Sequence, residues 1–435
     1  MKFIRSTGTV CVGLLFLFIL PLQVFSQDLS DAPTDTLSSL DDLLIEARAN
    51  NLLLQASHLE TQALALRSGQ VSAFPDPSVR IIYQPAPVLT ARGAQRSQWS
   101  IEQEIPYPGK LRLLASIADQ TAEIQGFDTA TLEDALLLQV KQAYFTLYRI
   151  QQQELRILSF KERLQKFEEI STARYEVGTG TQQAILKTQL ERNSLSRLQL
   201  ELSTEGHAAA EVLSNLLNRP ISTESIVTIK APPNIQSNVM ALVEIALSHR
   251  PEANALETAT KRADEKILLA RKQFRPDFRL GVTYFDISRT DILSTATGRD
   301  ALGIAATIRI PLQRERRRAQ LEEERVRRSH VYVRQEALQT AITARITDLV
   351  HQLREKAQQL ELLREALIPQ AEIALQSTLS SYSTGGTNFL DLLDSERTLF
   401  SLHMSYDDTF TRYLLATAEL ERALGVGSLT DLTAY

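Results

Sequence analysis

The chain has 435 residues, is 43% apolar and carries a net charge of −5, with its acidic and basic residues interleaved. That apolar share excludes a disordered chain, and the absence of a dominant basic surface excludes nucleic acid as a partner. Proline and glycine are few for this length and fall in clusters, which predicts long uninterrupted elements.

The N-terminus is predicted to be a targeting segment. Lys2 and Arg5 precede an apolar core at Val10–Val24, and Val24-Phe25-Ser26 offers a small-residue cleavage site. Residues 1–26 are therefore expected to leave as a signal peptide, and the single cysteine, Cys11, leaves with them. No later apolar run is long enough for a membrane helix. An exported chain of this kind is soluble outside the inner membrane or enters a membrane as β-strands.

In chain order, Leu37–Ser72 is predicted as a first helix, closed by Phe74-Pro75-Asp76-Pro77 because proline cannot continue it. Ser78–Tyr83 and Gln98–Ile105 read as strands, with Gln84–Ser97 as the loop between them. After Ile105–Lys110 (IPYPGK), one helix is predicted from Leu111 to Tyr175. Its residues Leu136, Val140, Ala143, Leu147 and Ile150 keep the four-three spacing of a coiled-coil seam. At 1.5 Å per residue this helix reaches roughly 100 Å, too long for a globular core. A second helix, Gln182–Leu217, stops at Asn218-Arg219-Pro220, and Ile221–Ser237 reads as a linker or small side domain.

The plan then repeats. Val239–Phe274 is predicted helical and ends at Arg275-Pro276-Asp277, as the first helix ended at Phe74-Pro75-Asp76. Phe278–Phe285 and Leu302–Ile310 are the second strand pair. Helices are expected over Gln313–Ser381, with Ile342, Ile346, Leu349 and Leu353 on its seam, and over Phe389–Leu424. The two long hairpins turn at Tyr175–Lys187 (YEVGTGTQQAILK) and Tyr382–Asp394 (YSTGGTNFLDLLD), with glycine supplying the reversal. The expected organisation is a first repeat over 27–220 (strand pair 78–105, turn near 178–181), a linker over 221–238, a second repeat over 239–425 (strand pair 278–310, turn near 384–388) and a tail over 426–435. The fold class is mainly α with a small β part.

This arrangement resembles the outer-membrane efflux proteins of the TolC type over about residues 37–425. The resemblance rests on the Pro-Asp-Pro entry to the first strands, Gln103–Lys110 (QEIPYPGK), Tyr175-x-Val177-Gly178-Thr179, the run from Tyr382 through Asp394, and Ala418–Gly425 (AELERALG). It implies a homotrimer in the outer membrane. Each protomer would give four strands to one transmembrane β-barrel and two long α-helical hairpins to one periplasmic α-barrel. It further implies a periplasmic adaptor (membrane fusion protein), an inner-membrane pump of the RND or ABC type, and outer-membrane lipid as partners. The implied function is a passive exit duct for a tripartite efflux or type I secretion-like system, and QEIPYPGK looks most like the heavy-metal-efflux branch. Four strands are too few to close a barrel, so strands in a membrane require several copies. The alternative is a soluble periplasmic coiled-coil adaptor or scaffold, which would carry one hairpin flanked by longer β-domains.

The six histidines lack ligand spacing, and no nucleophile elbow, phosphate loop or triad is present. The chain is therefore read as a non-enzyme without cofactor or metal. Asp391 and Asp394 stand three apart on one helical face, with Leu390, Leu392 and Leu393 expected to be buried beside them. By resemblance the two carboxylates line a narrow periplasmic mouth and set its selectivity. Val177, Gly178, Thr179, Thr384, Gly385 and Gly386 are the expected adaptor-docking turns, and Tyr175 and Tyr382 the expected gate-region packing. Tyr83, Trp99 and Tyr107 suit a membrane-interface girdle. Two departures from the resemblance stand out: Ala184 replaces a carboxylate in the first hairpin, and Thr384–Asn388 contains no arginine. A reduced or different set of bonds at the mouth is expected.

Overall fold

The computed structural model describes residues 39–223, 227, 229, 238–291 and 297–428. The signal peptide with Cys11, most of 221–238 and the last seven residues of the tail lie outside them. Four β-strands form one antiparallel meander in the order β1 (Ser78–Thr90), β2 (Gly93–Ile105), β3 (Asp277–Ser288) and β4 (Ala301–Arg309). Each repeat sends two strands into this sheet and one long hairpin away from it. In the first repeat the hairpin is α4 (Lys110–Glu176) and α5 (Gln182–Leu217). In the second it is α8 (Arg314–Leu362), a π-helical turn (Leu363–Leu367), α9 (Ile368–Thr384) and α10 (Phe389–Leu424).

Four elements differ from the sequence expectation, each for a local reason. The first helix is three: α1 (Leu40–Asn50), α2 (Leu52–Ala65) and α3 (Arg67–Ser72). Asn51 leaves the helical region to cap α2, its side chain accepting from the Leu53 and Leu54 amides at 3.1 Å each. Its counterpart in the second repeat also divides, into α6 (Val239–His249) and α7 (Pro251–Lys272), because Pro251 starts a helix more easily than it continues one. The predicted loop Gln84–Ser97 is largely strand. Pro85 and Pro87 fit there because β1 is an edge strand, and the register slips between Tyr83 and Val88 where they sit. The predicted single helix Gln313–Ser381 contains the π turn, since Pro369 lacks the amide for a regular ladder and an inserted residue absorbs the mismatch.

The helices bury three apolar clusters. The upper one packs α1, α4, α5 and α10 around Val140, Tyr144, Leu147, Leu213 and Leu414. A second joins α6, α8 and α10 through Ile342, Ile346, Leu349 and Leu420. The third, near the hairpin turns, joins both hairpins through Phe160, Leu164, Phe167, Leu195, Tyr382, Leu392 and Leu393. The predicted α4 seam, Leu136 to Ile150, is buried throughout.

Candidate functional site

The sheet separates its two faces by chemistry. Cross-strand rows Ile105–Phe278–Ile308, Val79–Ile101–Val282–Ile304 and Ile81–Trp99–Tyr284–Leu302 share one face. Among the described residues none covers the edge of these rows: Ile304 is 84% and Leu302 70% exposed. The opposite face carries Glu104–Arg279–Thr307 and Arg80–Ser100–Thr283–Gly303, with Arg279 3.4 Å from Glu102 and Arg309 3.2 Å from Glu104. A period-2 alternation of bare apolar rows with a paired, charged face is what lipid on one side and a wet lumen on the other select. Tyr83 and Trp99 lie on the apolar face and are exposed, and Tyr284 joins Trp99 in the same row. Tyr107 departs from the expected girdle. It is half-buried at the root of the sheet, with the Lys272 ammonium 5.5 Å from its ring centre.

That root is locked between repeats. The carboxylate of Asp277, from the second Pro-Asp, accepts from the Tyr107 amide at 2.7 Å and from Lys110 Nζ at 2.8 Å. Lys272 Nζ donates to the Pro108 carbonyl at 3.0 Å. The IPYPGK segment of one repeat thus anchors the first strand of the other.

At the far end both hairpins reverse on glycine. Gly178 (φ 76°) and Gly385 (φ 83°) hold left-handed backbone with open space around them, and Val177 is 73% exposed. Gly180, which the sequence did not single out, is needed for room: a Cβ there would lie 2.8 Å from the Tyr175 nitrogen. Tyr382 is buried and meets Phe389 edge-on at 6.1 Å, whereas Tyr175 is 48% exposed and packs nothing comparable. Phe389, Leu392 and Leu393 are the buried residues of the α10 start, and Leu390, expected among them, is exposed.

Asp391 and Asp394 are both exposed on the face away from those residues. Asp391 also helps start α10: the Asn388 side chain accepts from its amide at 3.1 Å, and Thr387 Oγ1 donates to its carboxylate at 2.6 Å. A carboxylate in the first turn suits the positive end of the helix.

Bonds between the hairpins come from residues the sequence reading passed over. Arg174 of α4 lies 4.4 Å from the Tyr382 ring centre and donates to the carbonyls of Tyr382 at 3.0 Å and Ser383 at 3.3 Å. Arg397 of α10 binds Glu191 of α5. Arg163 Nε donates to both oxygens of Glu396 at 2.9 and 3.0 Å, and Glu396 is 1% exposed. Within the first hairpin, the Gln189 amide at 2.8 Å and then Arg192 at 2.6 Å hold Glu168 below the usual carboxylate range. These bonds tie the two hairpins together near their turns. A signal existed for part of this set: Arg149, Arg156 and Arg163 recur every seven residues on α4, and each faces an acid of α10.

A lipid-compatible four-stranded sheet with unpaired edges, carrying two long helical hairpins, gives the chain the architecture of one protomer of a shared barrel. Residues 242–426, the second repeat, match the family described as outer membrane efflux protein, and the first repeat has the same architecture. Over that second repeat the chain is similar to the outer membrane efflux proteins, and it is located in the outer membrane with a large periplasmic part. It is 24% identical over 337 residues to a probable outer membrane lipoprotein, SilC, of Salmonella typhimurium, covering 74% of this chain and 70% of that one. Its fold is that of the outer-membrane channel OprN (TM-score 0.74, 18% identity, 89% of this chain and 90% of that one). CusC, described for its transmembrane channel formation, gives a TM-score of 0.73 at 19% identity, covering 89% and 92%. The outer membrane protein VceC from Vibrio cholerae gives 0.72 at 20% identity, covering 89% and 96%. Among the described residues, no helix is long and apolar enough to cross a membrane.

Proposed function

We propose that the protein is a passive exit duct: three copies share one barrel and one periplasmic tunnel, fed by a periplasmic adaptor and an inner-membrane pump. The observation that carries this reading is the pair of unlike sheet faces, because the apolar rows need lipid and the paired charges need water. A soluble adaptor would gain nothing from leaving Ile304 and Leu302 bare. In this reading the exposed turns Val177–Thr179 and Thr384–Gly386 receive the adaptor's hairpin, since glycine lets another backbone approach closely. The QEIPYPGK segment supports the heavy-metal-efflux branch as the source of cargo. The duct performs no chemistry, and its cargo is selected upstream.

Asp391 and Asp394 are the residues proposed to tune conduction. Three copies place six carboxylates around the mouth, attractive to cations. Replacing both with Asn keeps their volume and removes the charge. In planar bilayers the wild-type protein is expected to conduct without an energy source and to prefer cations. Asp391→Asn with Asp394→Asn should abolish that preference while leaving the assembly intact, because exposed carboxylates contribute little to stability. A double variant that selects ions as the wild type does would reduce these residues to a helix start and a solvated face.

A further inference from the structure

Midway along the stem, the seam between α4 and α10 changes character. On α10 the upper apolar cluster runs down to Phe410 and the lower one resumes at Phe400, whereas on α4 the two meet at Leu147 and Ile150. Between those two α10 residues the interface is polar. Arg149 donates to Gln153 at 2.8 Å, Gln153 donates to Asp408 at 2.9 Å, and Arg156 faces Asp407. Asp407 and Thr411, one turn apart, are 5% and 4% exposed.

With Arg149–Asp408 at 3.6 Å, the Arg156–Asp407 contact is one of the two longest ion pairs between α4 and α10. Arg156 Nε stands 3.5 Å from Asp407 Oδ2, and among the described residues neither atom makes a closer hydrogen bond. Lys141–Glu421 above it closes at 2.6 Å, and Arg163–Glu396 below it at 2.9 Å. Arg156 borders a cleft of about 320 Å³ with Arg163, His403 and Glu372, which brings α9 to the same level. The π turn Leu363–Leu367, just before α9, also packs on α10. Thus the π turn of the second hairpin and the polar stretch of the α4–α10 seam both lie against α10. Toward the turns, both hairpins are joined by Phe160, Leu392 and the Arg163, Arg174 and Arg397 bonds into one body.

We propose that this level is a hinge on which the tip body pivots against the upper stem, with Arg156–Asp407 as its proton-releasable pin. The proposal rests on the three-copy duct reading, because only in an assembly does a pivoting tip widen a mouth. Burial is the main cause that raises the Asp407 carboxyl to about 6; Arg156 opposes it and neighbouring Asp408 adds to it. The other groups facing it are Arg149 and Tyr148 of α4 and Tyr406 and His403 of α10, with Glu372 of α9 across the cleft. Burial, reinforced by Arg156, pushes His403 below its usual range, and burial raises Tyr148, which stays neutral near pH 6. Above about pH 6 the carboxylate is charged and the pin holds; below it, Asp407 is neutral and Arg156, partly exposed, turns to solvent. The folded-state value is raised, so protonating Asp407 adds stability as pH falls through it. The pin releases without unfolding the stem.

Symmetric spin labels on the intact assembly in detergent test this. One is placed in the tip body through Glu169→Cys and, separately, one in the upper stem through Gln139→Cys; both sites are exposed. Between about pH 7.5 and about pH 5 the tip-to-tip distance should rise with a midpoint near the Asp407 value, while the upper distance stays fixed. Asp407→Asn, isosteric and uncharged, should show the acid distance at both pH values. Arg156→Gln removes the opposing charge and should move the midpoint upward by on the order of one unit. Normal inter-chain distances that ignore pH, or a transition that survives in Asp407→Asn, would overturn the hinge alone. The absence of any inter-chain distance would overturn the oligomeric reading beneath it, and the hinge with it.

Discussion

Replacing Arg163 with Met is expected to destabilise the protein by about 3 kcal/mol, one of the two largest single-residue effects in the chain. Glu396 is 1% exposed and receives both of its close hydrogen bonds from Arg163 Nε. The substitution preserves most of the packing around Phe160 but strands a carboxylate in an apolar cluster. Burial already raises the Glu396 value, and Arg163 is what lowers it. Without the arginine it must rise further, so the stranded group escapes its cost by taking a proton. The loss is therefore greatest at high pH and shrinks as pH falls through the raised value. Thermal unfolding in detergent across pH checks both the size and the sign. Adding Glu396→Gln to Arg163→Met removes the second charge and should restore most of the stability, as replacing whole buried pairs often does. A single variant as stable as wild type at high pH would show that Glu396 is reached by water.

The other large effect lies in the sheet. Ile101→Arg puts a charge on the apolar face between Val79 and Val282. Ala305→Arg puts the same charge on the opposite face, in the row of Glu102 and Gly281. If lipid covers the first face and water the second, Ile101→Arg costs about 2–4 kcal/mol per copy, while Ala305→Arg is nearly neutral. The yield of heat-resistant protein in the outer-membrane fraction reads the difference. Equal yields would mean that the rows around Ile101 meet something other than hydrocarbon.

The long helices were legible because their signal is periodic. The Leu136-to-Ile150 seam needs no partner to be recognised, and α5 and α10 begin and end where glycine, Asn218 and the turns predict. Interruptions were harder to see, since each depends on context the local pattern lacks. Pro85 and Pro87 argue against a strand until β1 is known to be an edge, and Pro369 argues for a helix end until the π turn is seen to absorb it. The glycines of the tips were visible, but the cross-links were not. Arg174 reaches Tyr382 across 208 positions and Arg163 reaches Glu396 across 233, and only the fold brings them together. Asp391 was visible as a carboxylate on an open face. Its bond to Thr387, which makes it part of the helix start, follows only from the turn's shape.

The central claim is that this chain is one part of a shared outer-membrane barrel, and the mass of the particle extracted from the membrane tests it most directly. The sheet has two unpaired edges, β1 and β4, and lipid leaves unpaired backbone groups unsatisfied at several kcal/mol each. Protein extracted from the outer-membrane fraction in mild detergent should therefore have a single mass of three chains by native mass spectrometry, and should not persist as one chain. A monodisperse particle of one chain, soluble without detergent, would contradict the account.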